Sequence, residues 1–124
     1  MLLRNNLYEI TARRTTEDGF TAYDLSLHAT HIIYSAHFPG HPITPGVCLV
    51  QIAKELLEDR LGRSLDIIRV KNVKFLSVVS PMETPCITCV FRKIEVDAGD
   101  DKVVVQALIT AGEQTMTKIS MECR

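Results

Sequence analysis

The sequence predicts an α+β domain in which one long helix lies on an antiparallel sheet. Three observations carry this. A single stretch, Gly46 to Leu61, has the apolar spacing of an amphipathic helix, whereas most of the remaining chain alternates with the period of strands. The strands after the helix are joined by short turn sequences, which make hairpins and therefore antiparallel neighbours. A lone helix can bury its apolar arc only against that sheet, which gives two layers.

Taken in order, Asn6 to Arg14 reads as a first strand and Thr16-Glu17-Asp18-Gly19 as a turn. Tyr23, Leu25 and Leu27 then alternate with Asp24, Ser26 and His28, the pattern of a half-buried strand. A short apolar run, His31 to Tyr34, precedes a loop from His37 to Pro45 rich in proline and glycine. Pro45 stands where a helix can begin without losing a hydrogen bond, and Gly62 where one ends. Within the helix Leu49, Ile52, Ala53, Leu56 and Leu57 form the apolar arc, and Gln51, Lys54, Glu55 and Glu58 form a polar one expected to face solvent. Strands follow at Val70 to Phe75, Cys86 to Val96 and Lys102 to Thr110, with a break at Pro81 to Pro85 and a hairpin loop at Asp97 to Asp101. In the last strand Thr117, Ile119, Met121 and Cys123 share one side.

At 124 residues there is room for one domain, spanning residues 1–124, and 46% hydrophobic with 23% charged residues is the composition of an ordinary globular chain. A formal net charge of −1 gives no general reason to expect nucleic acid or a membrane surface as partner. The basic clusters Arg13-Arg14, Arg69-Lys71-Lys74 and Arg92-Lys93 read as solvated strand edges. No apolar run approaches the roughly 20 residues of a membrane span. The start turns polar too early for a signal peptide, so the cytoplasm is expected, with cysteines as thiols. Cys86 and Cys89 resemble a metal or redox pair. In a strand, however, residues three apart face opposite sides. The four histidines, His28, His31, His37 and His41, lack suitably spaced companions, so no metal is expected. Cys48, in the first helical turn, is expected to be a small buried hydrophobe rather than a thiolate lowered by the helix dipole.

The segment that bears chemistry is His37-Phe38-Pro39-Gly40-His41-Pro42-Ile43-Thr44-Pro45-Gly46-Val47. Its prolines stiffen a loop that brings His37 close to a helix N-terminus, where free backbone N–H groups at Gly46 and Val47 carry a partial positive charge. A general base beside preorganised donors is what an enolising thioester requires. The base takes the α-proton and the N–H groups stabilise charge on the carbonyl oxygen.

This string resembles the H-F-P-G-x-P-x-x-P-G-V signature of the β-hydroxyacyl-acyl-carrier-protein dehydratases. The similarity continues through the helix and through Val70 to Pro85. The resemblance implies a hotdog fold, with a long central helix on a curved antiparallel sheet. It also implies dimers formed by joining sheets edge to edge, and active sites at the interface. By position His37 matches the family's catalytic histidine, and Gly46 and Val47 match the donors to the thioester oxygen. Gln51 falls where the family carries a helix carboxylate. A carboxamide has no comparable proton to give, though it can orient a hydroxyl or water. Glu55, one turn on, is a candidate substitute.

The expected activity is reversible dehydration of a 3-hydroxyacyl group carried as acyl-phosphopantetheine on acyl-carrier protein. No cofactor is required, and Phe38 and Leu49 would line the acyl tunnel. The alternatives are a weakly active or non-catalytic acyl-carrier-binding subunit paired with an active paralogue, and an acyl thioesterase. Either a homodimer or a heterodimer fits, as does a larger assembly.

Overall fold

The computed structural model describes residues 2–36 and 40–124. Strands β1 (Tyr8–Thr15) and β2 (Thr21–Leu27) form an opening hairpin, and a short helix α1 (Ile32–Ala36) leads toward the long helix α2 (Gly46–Leu61). Four strands complete the chain: β3 (Ile67–Phe75), β4 (Cys86–Val96), β5 (Val103–Ala111) and β6 (Gln114–Cys123). All six strands join one antiparallel sheet in the order β1-β2-β4-β5-β6-β3. The α+β class is as expected. The short apolar run at His31 to Tyr34 enters one turn of helix and buries Tyr34. β3 also begins three residues before Val70.

Register explains why one face of the sheet is apolar. Leu25 pairs with Ile87, Tyr23 with Cys89, and Cys89 with Ile109. Phe91 pairs with Ala107, Ala107 with Ile119, and Val105 with Met121. Residues opposite one another share a face, so these buried side chains make one continuous surface across four strands. Leu49, Ile52, Ala53, Leu56 and Leu57 of α2 are all buried in the same core cluster, as the helical spacing foretold. Burying one such leucine or isoleucine stabilises by about 1.5–3 kcal/mol, so this arc holds the helix on the sheet. Register shifts in β1, β3 and β4 mark the bulges at which the strands bend.

Cys86 is exposed and Cys89 buried, the opposite-face placement expected of a strand. The basic clusters are partly paired. Arg14 grips Asp24 through two bonds of 2.9 and 3.0 Å, Arg92 lies over the Phe20 ring at 4.7 Å, and Lys71 approaches Glu122 at 3.8 Å. Among the described residues no helix is long and apolar enough to cross a membrane.

Candidate active site at the start of the long helix

The helix begins at a proline cap. Pro45 has φ −59° and ψ 145°, and its carbonyl accepts from Cys48 N–H at 3.0 Å and Leu49 N–H at 3.2 Å. Gly46 and Val47 precede the first intrahelical donors, so their N–H groups have no partner within the helix. Among the described residues no side chain caps this end, and no acidic residue lies in the first turn. Its partial positive charge is therefore not offset by any of the described side chains.

The approach to this end is pinned from two sides. Thr44 N–H donates to Val79 O at 2.7 Å, and the Tyr34 and Thr44 hydroxyls meet at 2.8 Å. Gly46 is packed beneath Phe75: a Cβ there would lie 2.4 Å from the ring's Cζ. The sheet register accounts for this contact. Phe75 pairs with Thr117, which pairs with Ile109 on the helix-facing side. Beside Gly46 opens a cavity of about 480 Å³, bounded by Ile43, Pro45 and Leu49 and by the stretch Phe75 to Val79. Its walls are mostly apolar side chains, the environment an acyl chain needs.

Of the residues singled out from sequence, Gly46 and Leu49 meet at this cavity. The Val47 side chain points outward, 73% exposed, leaving only its backbone N–H for the site. His37 and Phe38 lie outside the described residues. Gln51 is half-buried, and its Nε2 donates to Glu55 Oε2 at 2.8 Å.

Glu55 departs most from expectation, because it does not face solvent. It is 5% exposed. Its carboxylate accepts Leu3 N–H and Arg4 N–H, each at 2.8 Å, and the Tyr8 hydroxyl at 2.9 Å. With four donors on two oxygens it is built as an acceptor, which sets aside its candidacy as a substitute acid. Asp59, a further turn along, accepts from Tyr23 at 2.7 Å and Arg4 at 3.1 Å. The Tyr23 bond, aided by Arg4 and Arg13, holds the Asp59 carboxyl below its ordinary range despite partial desolvation. Burial, then the Glu55 charge and hydrogen bond, push the Tyr8 hydroxyl far above the ordinary phenol value. The polar arc of α2 is thus a ladder that fastens the N-terminal segment and β-sheet to the helix.

Cys48 is buried, and desolvation raises its thiol, the behaviour of a packed hydrophobe. His28 Nδ1 lies 2.8 Å from Asn6 O, and His31 Nδ1 accepts Ile33 N–H at 3.0 Å, so both are engaged in local turns. Phe75 and the Tyr34–Thr44 contact had no local signal in the sequence, since each depends on pairing between distant segments.

Comparison with known proteins agrees with this architecture. The family model described as ApeI-like, ApeI dehydratase, matches residues 12–112. The chain is 30% identical over 88 residues to a protein of Rickettsia typhi named 3-hydroxyacyl-[acyl-carrier-protein] dehydratase FabZ, a match covering 63% of this chain and 61% of that protein. It is 31% identical over 78 residues to the protein of the same name in Acetivibrio thermocellus, covering 57% of this chain and 53% of that one. The matched segment thus spans less than two thirds of either relative. Among solved structures, the dehydratase heterocomplex ApeI:P from Xenorhabdus doucetiae superposes with a TM-score of 0.64 at 21% identity, over 93% of this chain and 96% of that one. That similarity establishes the hotdog fold, and the match over residues 12–112 establishes the family: the chain belongs to the ApeI-like dehydratases.

Proposed function

We propose that this protein handles 3-hydroxyacyl groups carried on acyl-carrier protein, catalysing their reversible dehydration in the building of an acyl chain. The observation that carries this reading is the start of α2, uncapped among the described residues, with the Gly46 backbone beside an apolar cavity of about 480 Å³. In the reaction His37 takes a proton from the α-carbon while Gly46 and Val47 N–H groups stabilise the thioester oxygen. The electron pair released at the α-carbon forms the double bond as the β-carbon–oxygen bond breaks. The imidazolium then returns its proton to the departing hydroxyl, which leaves as water. This route balances without a helix acid, so Gln51 needs only to orient the hydroxyl. No redox change or group transfer occurs, so no cofactor is required. The acyl chain rests between Leu49 and the Phe75–Val79 stretch, with Phe38 as a further wall.

A second reading is favoured by two features: the carboxamide at Gln51 and the outer strand β3, which leaves Ile68, Val70 and Phe75 exposed. An exposed apolar edge is suited to pairing with another sheet. The solved neighbour described as a dehydratase heterocomplex lends support to an unlike partner. In that case this chain binds acyl-carrier protein and supports a subunit that retains the carboxylate.

The deciding experiment follows hydration of crotonyl-acyl-carrier protein by the purified protein, alone and with His37→Ala and Gln51→Glu. Turnover by wild type, reduced on the order of 10²-fold or more in His37→Ala, supports the dehydratase. Silence in wild type with activity gained in Gln51→Glu favours the partner role. Silence in all three, with no binding of the acyl-carrier substrate, overturns both.

A further inference from the structure

The sheet face turned away from α2 carries an uncompensated charge. Thr117 and Ile119 are buried on the helix-facing side, so Lys118 between them points outward. Lys118 pairs across the sheet with Lys74 of β3. Two ammonium groups thus stand directly opposite one another, an arrangement that costs stability in a sheet. The row continues through Leu108, Val90 and Ala22 without a carboxylate. Among the described residues neither lysine side chain has an ion pair or a hydrogen bond. Glu122 shares this face of β6, but Lys71 engages it at 3.8 Å. It also lies four residues beyond Lys118, about 13 Å at the rise of an antiparallel strand. That exceeds the screening length of about 8 Å at physiological salt. Lysines on an edge strand commonly keep it from pairing with foreign strands. Such protection accounts for Lys74 but not for Lys118, because β6 lies between β5 and β3. The chain's net charge is only −1, so the pair is a local concentration of charge rather than part of a general excess.

We propose that this outer face of β3 and β6, centred on Lys74 and Lys118, docks the carrier protein that delivers the acyl group, through an acidic surface on that carrier. This rests on the acyl-carrier reading given above. Charge complementarity names the partner. The acyl arm of such a carrier hangs from a phosphodiester, a fixed negative charge, and two unpaired ammonium groups suit it and the carboxylates that a matching surface sets beside it. Position favours the same partner. Successive residues of a strand face opposite sides, so Lys74 lies back to back with Phe75, whose ring is a wall of the cavity at the helix start. β3 ends at Phe75. A partner seated on the two lysines is therefore one strand's thickness from the cavity, and its arm has only to turn over the end of β3. Pairing of the β3 edge with another sheet leaves the outer face free, since edge pairing uses backbone groups in the plane of the sheet.

The test uses the double variant Lys74→Glu/Lys118→Glu. It exchanges one like-charged pair for another, so the strands feel a similar repulsion and the melting temperature is expected to hold. Glutamates also keep an edge from pairing, so a protective role alone predicts no change in binding. The single variant Lys74→Glu places opposite charges across the strands. Its melting temperature is expected to rise while binding of the carrier weakens, whereas a merely structural role would move the two together.

The probes are crotonyl-acyl-carrier protein and crotonyl-pantetheine, each with an amide in place of the thioester. Association of the carrier probe with wild type is expected to be fast at low salt and to slow steeply as salt is added. In the double variant the rate at low salt is expected to fall by about tenfold or more, with the salt dependence lost or reversed. The pantetheine probe lacks both the carrier and the phosphodiester, so both proteins are expected to bind it alike. Carrier association that is unchanged in the double variant overturns the proposal. So does an equal loss for both probes, which would place the lysines' effect in the cavity rather than at a docking face. Lysine-dependent binding of the carrier probe without binding of the pantetheine probe upholds the docking face and sinks the acyl cavity. Binding of neither probe by wild type overturns the acyl-carrier reading and the docking face with it.

Discussion

At the scale of single residues, Gly46 does two things that no other residue does as well. It lets the Phe75 ring close over the start of α2, and it leaves the backbone N–H open. A methyl group at position 46 meets the ring edge at 2.4 Å. Phe75 is 58% exposed, so the ring can swing outward rather than strain the backbone. Gly46→Ala is therefore expected to change stability by less than about 1 kcal/mol, since surface side chains adapt cheaply. Yet it displaces one wall of the cavity, so the change should appear in acyl-chain preference. Thermal melting together with rates on acyl groups of increasing length checks this; a large loss of stability with unchanged preference would contradict it. Glycine before the helix was legible in the sequence, but its neighbour was not, because Phe75 arrives through the β3–β6 register.

At the scale of elements, α2 is held by two unlike faces. Its apolar arc was legible because a helix repeats every 3.6 residues and the relevant side chains are all local. The opposite arc was misjudged for a physical reason. Burial of Glu55 depends on Leu3 and Arg4, 52 and 51 positions away, and a local pattern cannot show such partners. The strands divide in the same manner: alternation identifies β2 and β6, and nothing in the run Ile32-Ile33-Tyr34 separates one turn of helix from a short strand. If the Gln51, Glu55 and Asp59 stripe fastens the N-terminal segment, Tyr8→Phe should cost about 1.5–3 kcal/mol, the worth of a hydrogen bond to a charged group. Denaturant unfolding measures the cost, and amide exchange at Leu3 and Arg4 should quicken in parallel. A cost near zero would show the stripe to be incidental.

For the whole molecule, the hotdog fold places the open helix end and the exposed edge of β3 close in space, since Phe75 belongs to both. Site and edge are thereby coupled through one strand. The two phenols that join the helix to the sheet also set a pH limit on the fold. Burial first, then partnership with Glu55 or Asp59, raise Tyr8 and Tyr23 above the phenol value of 10.0. The folded state thus holds these protons more tightly than the unfolded chain. Their contribution is complete below pH 10 and is lost as pH rises from there toward the raised folded values. Stability to urea is expected to fall above about pH 10, and to fall less steeply in the Tyr8→Phe/Tyr23→Phe double variant. Equal slopes would remove the phenols from the explanation.

The central claim is that the first turn of α2 receives a thioester oxygen. The most direct measurement is a nitrogen-15 amide spectrum of the protein titrated with crotonyl-pantetheine in which an amide replaces the thioester. The expected result is downfield movement of the Gly46 and Val47 amide protons, with accompanying shifts at Leu49 and along Phe75 to Val79. Shifts confined to another surface, with Gly46 and Val47 unmoved at saturation, would contradict it.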